Sequence, residues 1–306
     1  MSFTTAKDRI FNGYDRFAAW LARCPKPLRG LFYALIGGAL WLAYALPGNS
    51  VRPTIKALAG HVGTTSAFRL FGGYVTGFLR GFERLERVRH GFGAEVDGLL
   101  SLPQQQQLEE ILGQGGAILA MPHVHGSFSM TRALSQRYAV MSLIRVTHNK
   151  ARSAAQWDLF RNVGCELHDV RHENPAKVAR SVLRALKEGK IVLGMVDRME
   201  YPLRNEGGSV GDLARAEAFG QPFGAPIWPA RFAGKAGVPI LPGIVVQRRG
   251  EIRLVLGPTV EATGDIAETT QAWVTEMEAL IRAHPEEWAF WLDKNWSRLL
   301  RAEPPA

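Results

Sequence analysis

The alternation of apolar and polar positions divides the chain into two parts. From Gly30 to Leu46 the residues are apolar without a charge or a proline, and Pro47-Gly48 ends the run. The spacing predicts a helix, short for a bilayer core that takes about 20 residues to cross. Phe68 to Val88 places Leu70, Phe71, Val75, Phe78 and Leu79 on one side of a helix and Arg80, Arg84 and Arg87 on the rest. That predicts a basic amphipathic helix.

From residue 100 the period changes. Short apolar runs, Ala117–Met121, Val140–Val146, Glu166–Asp169 and Ile191–Val196, alternate with helical stretches at Gln104–Leu112, Ser129–Tyr138, Ala151–Val163 and Pro175–Glu188. Units of this size predict an α/β fold: a mixed, mostly parallel sheet flanked by helices, preceded by an N-terminal apolar and amphipathic helical region. Val238–Val246 and Ile252–Leu256 read as strands joined at Arg248-Arg249-Gly250, with helices at Pro229–Ala236 and Thr269–Ala283. Gly207 to Pro226, rich in Gly and Pro, reads as a long active-site loop. The expected division is residues 1–95 as a membrane-associating helical region and 96–306 as the α/β domain.

Composition narrows the function. The net charge of +9 favours an anionic partner, whether nucleic acid, phosphorylated substrate or anionic lipid. Helix-turn-helix, RNA-recognition and aromatic-platform patterns do not stand out, so no nucleic-acid partner is expected. The two cysteines, Cys24 and Cys165, sit in no CxxC or Cys/His cluster, which argues against a disulfide framework or a cysteine-rich metal site. Cys165 fits strand packing better than a nucleophile. Arg23, Lys26 and Arg29 precede the Gly30–Leu46 run as they would a short membrane-inserted or interfacial anchor, a fully apolar core helix being the competing reading, and the run starts too late for a signal peptide.

The chemistry concentrates at Gly115-Gly-Ala-Ile-Leu-Ala-Met-Pro-His-Val-His-Gly-Ser-Phe128. A buried strand stops at Pro122 and presents His123, with His125 as its rival, where ligands of α/β sheets gather. A histidine there suits general-base work. Two histidines at i and i+2 on a strand also suit a metal-dependent hydrolase, but the hairpin at Arg248–Gly250 fits the required barrel poorly.

The ordered set of motifs resembles the bacterial lipid A (lauroyl/myristoyl-type) acyltransferases and the related mycobacterial mannoside acyltransferases, within the lysophospholipid acyltransferase superfamily. The segments that carry the resemblance are Gly116–His123, Ile144-Arg-Val-Thr-His-Asn149, Val196-Asp-Arg198 with Glu217-Ala-Phe-Gly220, and His284-Pro-Glu-Glu-Trp288 through Trp296. The resemblance implies a membrane-associated acyltransferase on the cytoplasmic face of the cell inner membrane. Its donor would be acyl-carrier protein or acyl-CoA, its acceptor a lipid hydroxyl, and it would need no cofactor or metal. His123 would be the base, with His125, Arg145 and Arg198 binding substrate and Lys150 and Arg152 as further basic candidates.

One departure stands out. The family carries an acid five positions after its histidine. Here that position is Phe128, or Met130 counted from His125, or Ser129 with one insertion. Glu217 is the preferred replacement and Asp197 the reserve. A chain that had lost the acid altogether would be a lipid or acyl-carrier binding protein.

Overall fold

A computed structural model describes residues 16–302 except 65, 149 and 203–211. The helices before the sheet are α1 (Lys26–Ala45), α2 (Val51–His61), α3 (Ala67–Arg89) and α4 (Gly93–Asp97). Strand β1 (Leu100–Ser101) and α5 (Gln105–Gln114) lead into β2 (Ala117–Met121), α6 (Ser127–Ser135), β3 (Val140–Ile144), α7 (Lys150–Arg161), β4 (Glu166–Asp169), α8 (Pro175–Lys187) and β5 (Ile191–Met195). Then follow β6 (Leu213–Ala218), β7 (Gln221–Pro226), α9 (Trp228–Ala236), β8 (Ile240–Arg248), β9 (Glu251–Leu256), α10 (Ile266–Ala283) and α11 (Lys294–Leu300), with 3-10 turns at Pro285–Glu287 and Phe290–Leu292.

The seven-stranded sheet has the order β1-β9-β8-β2-β5-β3-β4, parallel except for the β8–β9 hairpin. This is the mixed, mostly parallel sheet flanked by helices that the sequence pattern predicts. Both faces are covered, so the central strands are apolar throughout rather than alternating; all five residues of β2 are buried. Ala117, Leu119 and Met121 pack on the α6 face, while Ile118 and Ala120 pack on the face of α8, α9 and α10.

Helix α8 shows the local logic. The Asn174 side chain accepts from the backbone N–H of Ala176 and Lys177, Pro175 opens the first turn, and Val178, Val182, Ala185 and Leu186 line the buried face. Burying such side chains contributes about 1.5–3 kcal/mol for each large aliphatic one.

Helix α3 lies against the sheet's carboxyl edge through a glycine face. A methyl at Gly81 would collide with the backbone carbonyl of His125, and one at Gly73 would meet Glu286 Cβ at 2.8 Å. Arg84, only 8% exposed, donates to the Gln247 side chain and to the carbonyls of Arg248 and Glu251. The basic face is thus partly structural, joining α3 to the β8–β9 turn.

The Gly207–Pro226 loop expectation needs correction from residue 213 onward. Residues 213–226 form the β6–β7 hairpin, while 207–211 lie outside the described residues. Phe219 (φ 52) and Gly220 (φ 71) are its two turn residues, the left-handed pair that matches hairpin twist. Phe219 holds this costly conformation because its ring is buried between Trp288 and Trp296. Helix α2, strand β1 and the short α4 escaped the sequence pattern.

Candidate active site

Strands β2 and β5 are parallel neighbours with Met121 opposite Met195. Two residues beyond each lie His123 and Asp197. The His123 ring Nδ1 hydrogen-bonds Asp197 Oδ1, and the His123 backbone N–H donates to Asp197 Oδ2 at 2.9 Å. Asp197 is 1% exposed and fully partnered: Trp288 Nε1 donates to Oδ2 at 3.0 Å, and Trp296 Nε1 donates to its backbone carbonyl at 2.7 Å. Buried carboxylate oxygens need such donors in place of the water they lose. With Nδ1 engaged by Asp197, Nε2 is the ring nitrogen left to exchange a proton.

The C-terminal segment holds the histidine from the other side. Ala289 N–H donates to the His123 carbonyl at 2.7 Å, and Val124 bridges Trp288 in antiparallel fashion. The Phe290 ring stacks on the imidazole with centroids 3.8 Å apart and planes 1° apart. The Arg198 guanidinium lies 5.5 Å from the same phenyl centroid.

His123, Arg145 and Arg198 share the mouth of a cavity of about 880 Å³. Partial burial, with the neighbouring Arg198 and Arg171 cations, pulls the Arg145 guanidinium below the ordinary arginine value. Clustered cations of this kind favour an anion between them. Beside them runs a chain the sequence reading missed: Asp169 Oδ2 to His172 Nδ1 at 2.6 Å, and His172 Nε2 to His148 Nδ1 at 3.0 Å.

The two acids change places relative to the sequence expectation. Asp197 meets the histidine. Glu217 is exposed on β6, and its backbone exchanges hydrogen bonds with Gln271 of α10. The Phe219-Gly220 element beyond it serves as a hairpin turn whose phenyl ring packs against Trp288. Phe128, at the position of the family acid, is a wall of the cavity, and Ser129 and Met130 are buried in α6.

His125 also stands elsewhere than expected. Its ring meets Tyr74 and Phe78 of α3 edge-on, with centroids at 4.8 and 5.4 Å, and burial pushes it down to about 4. It is absent from the cavity wall. Strand β2 ends at Met121, so the strict alternation that would aim two histidines at one metal does not extend to residues 123 and 125. Among the described residues no cluster of three or more His, Cys, Asp or Glu side chains is arranged to hold a metal ion. The side chains of Lys150 and Arg152 lie outside the described residues. Burial pushes the Cys165 thiol up to about 11, which fits packing rather than nucleophilic use.

Among the described residues one helix, Lys26–Ala45, is long and apolar enough to cross a membrane. Its Tyr33 and Gly37 are buried, and Leu28, Leu31, Leu35, Leu42 and Leu46 form an exposed stripe along it and just past its end.

Residues 94–298 match the family described as bacterial lipid A biosynthesis acyltransferase. A comparison with curated proteins finds no match.

Proposed function

The chain belongs to the bacterial lipid A biosynthesis acyltransferase family, and from that premise we propose that it transfers a fatty acyl group from an acyl thioester to a hydroxyl of a lipid acceptor. The observation that carries the mechanism is the His123–Asp197 pair at the mouth of the cavity. His123 Nε2 takes the acceptor hydroxyl proton as the oxygen attacks the thioester carbonyl. The tetrahedral oxyanion collapses, the carbon–sulfur bond breaks, and the departing thiolate takes the proton back from Nε2. An ester and a free thiol result. Asp197 remains a carboxylate, holding the Nδ1–H tautomer and stabilising the imidazolium while it exists.

Arg145 and Arg198 bind phosphates of the donor, which is acyl-carrier protein or acyl-CoA, or of the acceptor. Residues 1–95 form the membrane-associating region and 96–306 the catalytic domain. The exposed leucine stripe, continued by Phe17, Trp20 and Phe68, supports lipid contact. The cytoplasmic face of the inner membrane is the location that gives the site both thioester donors and a lipid acceptor. The hydrogen bond between His123 and Asp197 supports this reading over that of a degenerate binding protein without an orienting acid.

The test uses the full chain with acyl thioesters and a membrane-lipid extract, following new acyl esters by mass spectrometry. Ester formation that His123→Ala abolishes supports the proposal. Equal product with wild type and His123→Ala rejects it.

A further inference from the structure

The cavity is divided by the sheet. In parallel register Ser142 pairs with Leu167 and Leu193, and Leu143 pairs with His168 and Gly194. Paired residues of a parallel ladder share a face, and successive residues alternate. Ser142 and Leu167 therefore face α6 and α7, while Leu143 and Gly194 face α8 and α9. Both sets line the same cavity. It straddles the carboxyl edge of β3 and β5, with one lobe on each face and His123, Arg145 and Arg198 at the shared mouth.

The lobes differ chemically. The α6–α7 lobe carries the hydroxyls of Ser127, Thr131 and Ser142 and the amide of Gln156 beside Phe128 and Phe160. The α8–α9 lobe is lined by Leu143, Val178, Ala179, Gly194, Trp228 and Phe232, apolar side chains whose one polar atom is the Trp228 indole nitrogen. Its depth has a visible cause. A Cβ at Gly194 would lie 2.5 Å from Trp228 Cζ2 and 2.8 Å from Cη2. The indole thus occupies the space a side chain on β5 would fill. Val182 and Val192 belong to the closed core on the same face of the sheet.

We propose that the α8–α9 lobe receives the donor's acyl chain and that Trp228, seated on Gly194, is the stop that sets the longest chain accepted. The proposal rests on the acyl-transfer reading of the site. An unbranched chain is the occupant that matches a wall whose side chains, the Trp228 indole N–H apart, carry no donor or acceptor, because a polar group buried there would lose its hydrogen bonds. Each further methylene that fits contributes about 0.8 kcal/mol, about fourfold in binding. A methylene that meets the indole gains nothing and displaces the carbonyl from His123.

The experiment compares kcat/KM for straight-chain acyl thioesters of graded length in the wild type, Trp228→Ala, Trp228→Phe, Gly194→Ala and Phe160→Ala, with thermal midpoints measured alongside. Trp228→Ala should move the cutoff to chains longer by about two to four carbons, each worth about fourfold. Trp228→Phe should move it less. Gly194→Ala, which drives the indole into the lobe, should shorten it. Phe160→Ala, in the other lobe, should leave it in place. A cutoff unmoved in folded Trp228 variants, or moved only by Phe160→Ala, overturns the assignment. If no protein transfers any acyl group, the proposed activity fails. The lobe is then tested by calorimetry with alkyl thioether analogues of the donor. A plateau of affinity that lengthens in Trp228→Ala supports the stop, and an unchanged plateau overturns it.

Discussion

The indole Nε1–H of Trp288 donates to Asp197 Oδ2 at 3.0 Å. That oxygen also accepts the backbone N–H of His123, which turns Oδ1 toward the imidazole. The His-Pro-Glu-Glu-Trp segment is thus part of what orients the His123 imidazole. Trp288→Phe removes one donor from a buried carboxylate at a cost of about 1–3 kcal/mol. The expected result is a lower denaturation midpoint together with a lower kcat, read from urea unfolding and initial rates. An unchanged kcat would detach Trp288 from catalysis.

His123→Ala and Asp197→Asn should each lower kcat by about 10²–10⁴-fold, the usual worth of an oriented general base. The double variant should fall little further, because the two act as one unit. Additive losses would mean that the residues work independently. Glu217→Gln, on the exposed hairpin strand, should leave the rate within about twofold, as surface substitutions usually do.

Arg145→Ala and Arg198→Ala should raise KM more than they lower kcat, since both stand at the cavity mouth and neither bonds the His123–Asp197 pair. Lysine should restore binding poorly wherever the contact is bidentate. Substrate titrations at two salt concentrations check this, because the wild-type advantage should shrink as salt screens it.

Gly81→Ala should be destabilising by about 1–3 kcal/mol, since its methyl meets the His125 carbonyl and pushes α3 off the histidine turn. Gly60→Ala on α2 has nothing within 4 Å and should stabilise by up to about 1 kcal/mol through helix propensity. Paired denaturant curves distinguish a packing role for Gly81 from a general effect of glycine in helices.

Burial raises the Glu287 carboxyl to about 7, although the Gln247 N–H bonds one of its oxygens. The folded state then holds a proton that the unfolded state has lost between about pH 4.5 and 7, so this group removes stability as pH rises through that window. His125, lowered to about 4 by burial, does the opposite: its contribution is complete above about pH 6.5 and is lost as pH falls toward 4. The two slopes oppose each other over most of the range. Glu287→Gln should therefore expose the His125 slope, with stability rising between pH 4 and 6.5 by up to about 3 kcal/mol. Unfolding midpoints parallel to wild type at every pH would contradict this.

Much of the fold was legible locally. Ala117–Met121 and Glu166–Asp169 are strands with the limits their patterns predict, and the Asn-Pro start of α8 is readable because a cap and a proline act within one turn. The Gly-rich stretch misled because composition cannot separate a loop from a hairpin. Phe219 accepts a left-handed turn only because Trp288 and Trp296 enclose its ring.

The sequence by itself determined that a histidine follows a buried strand, that arginines follow two others, and that an apolar helix precedes the domain. Strand periodicity and strand ends are properties of neighbouring residues. Only the tertiary structure decided which acid meets His123. Asp197 lies 74 residues away, and it arrives because β2 and β5 pair in parallel with Met121 opposite Met195. Pairing of distant strands depends on the burial of whole faces, which no short stretch of sequence encodes. The same cause separates the two neighbouring histidines. His123 stays with the sheet edge and its cavity, while His125 turns under the glycine face of α3, where a missing side chain leaves room for its backbone.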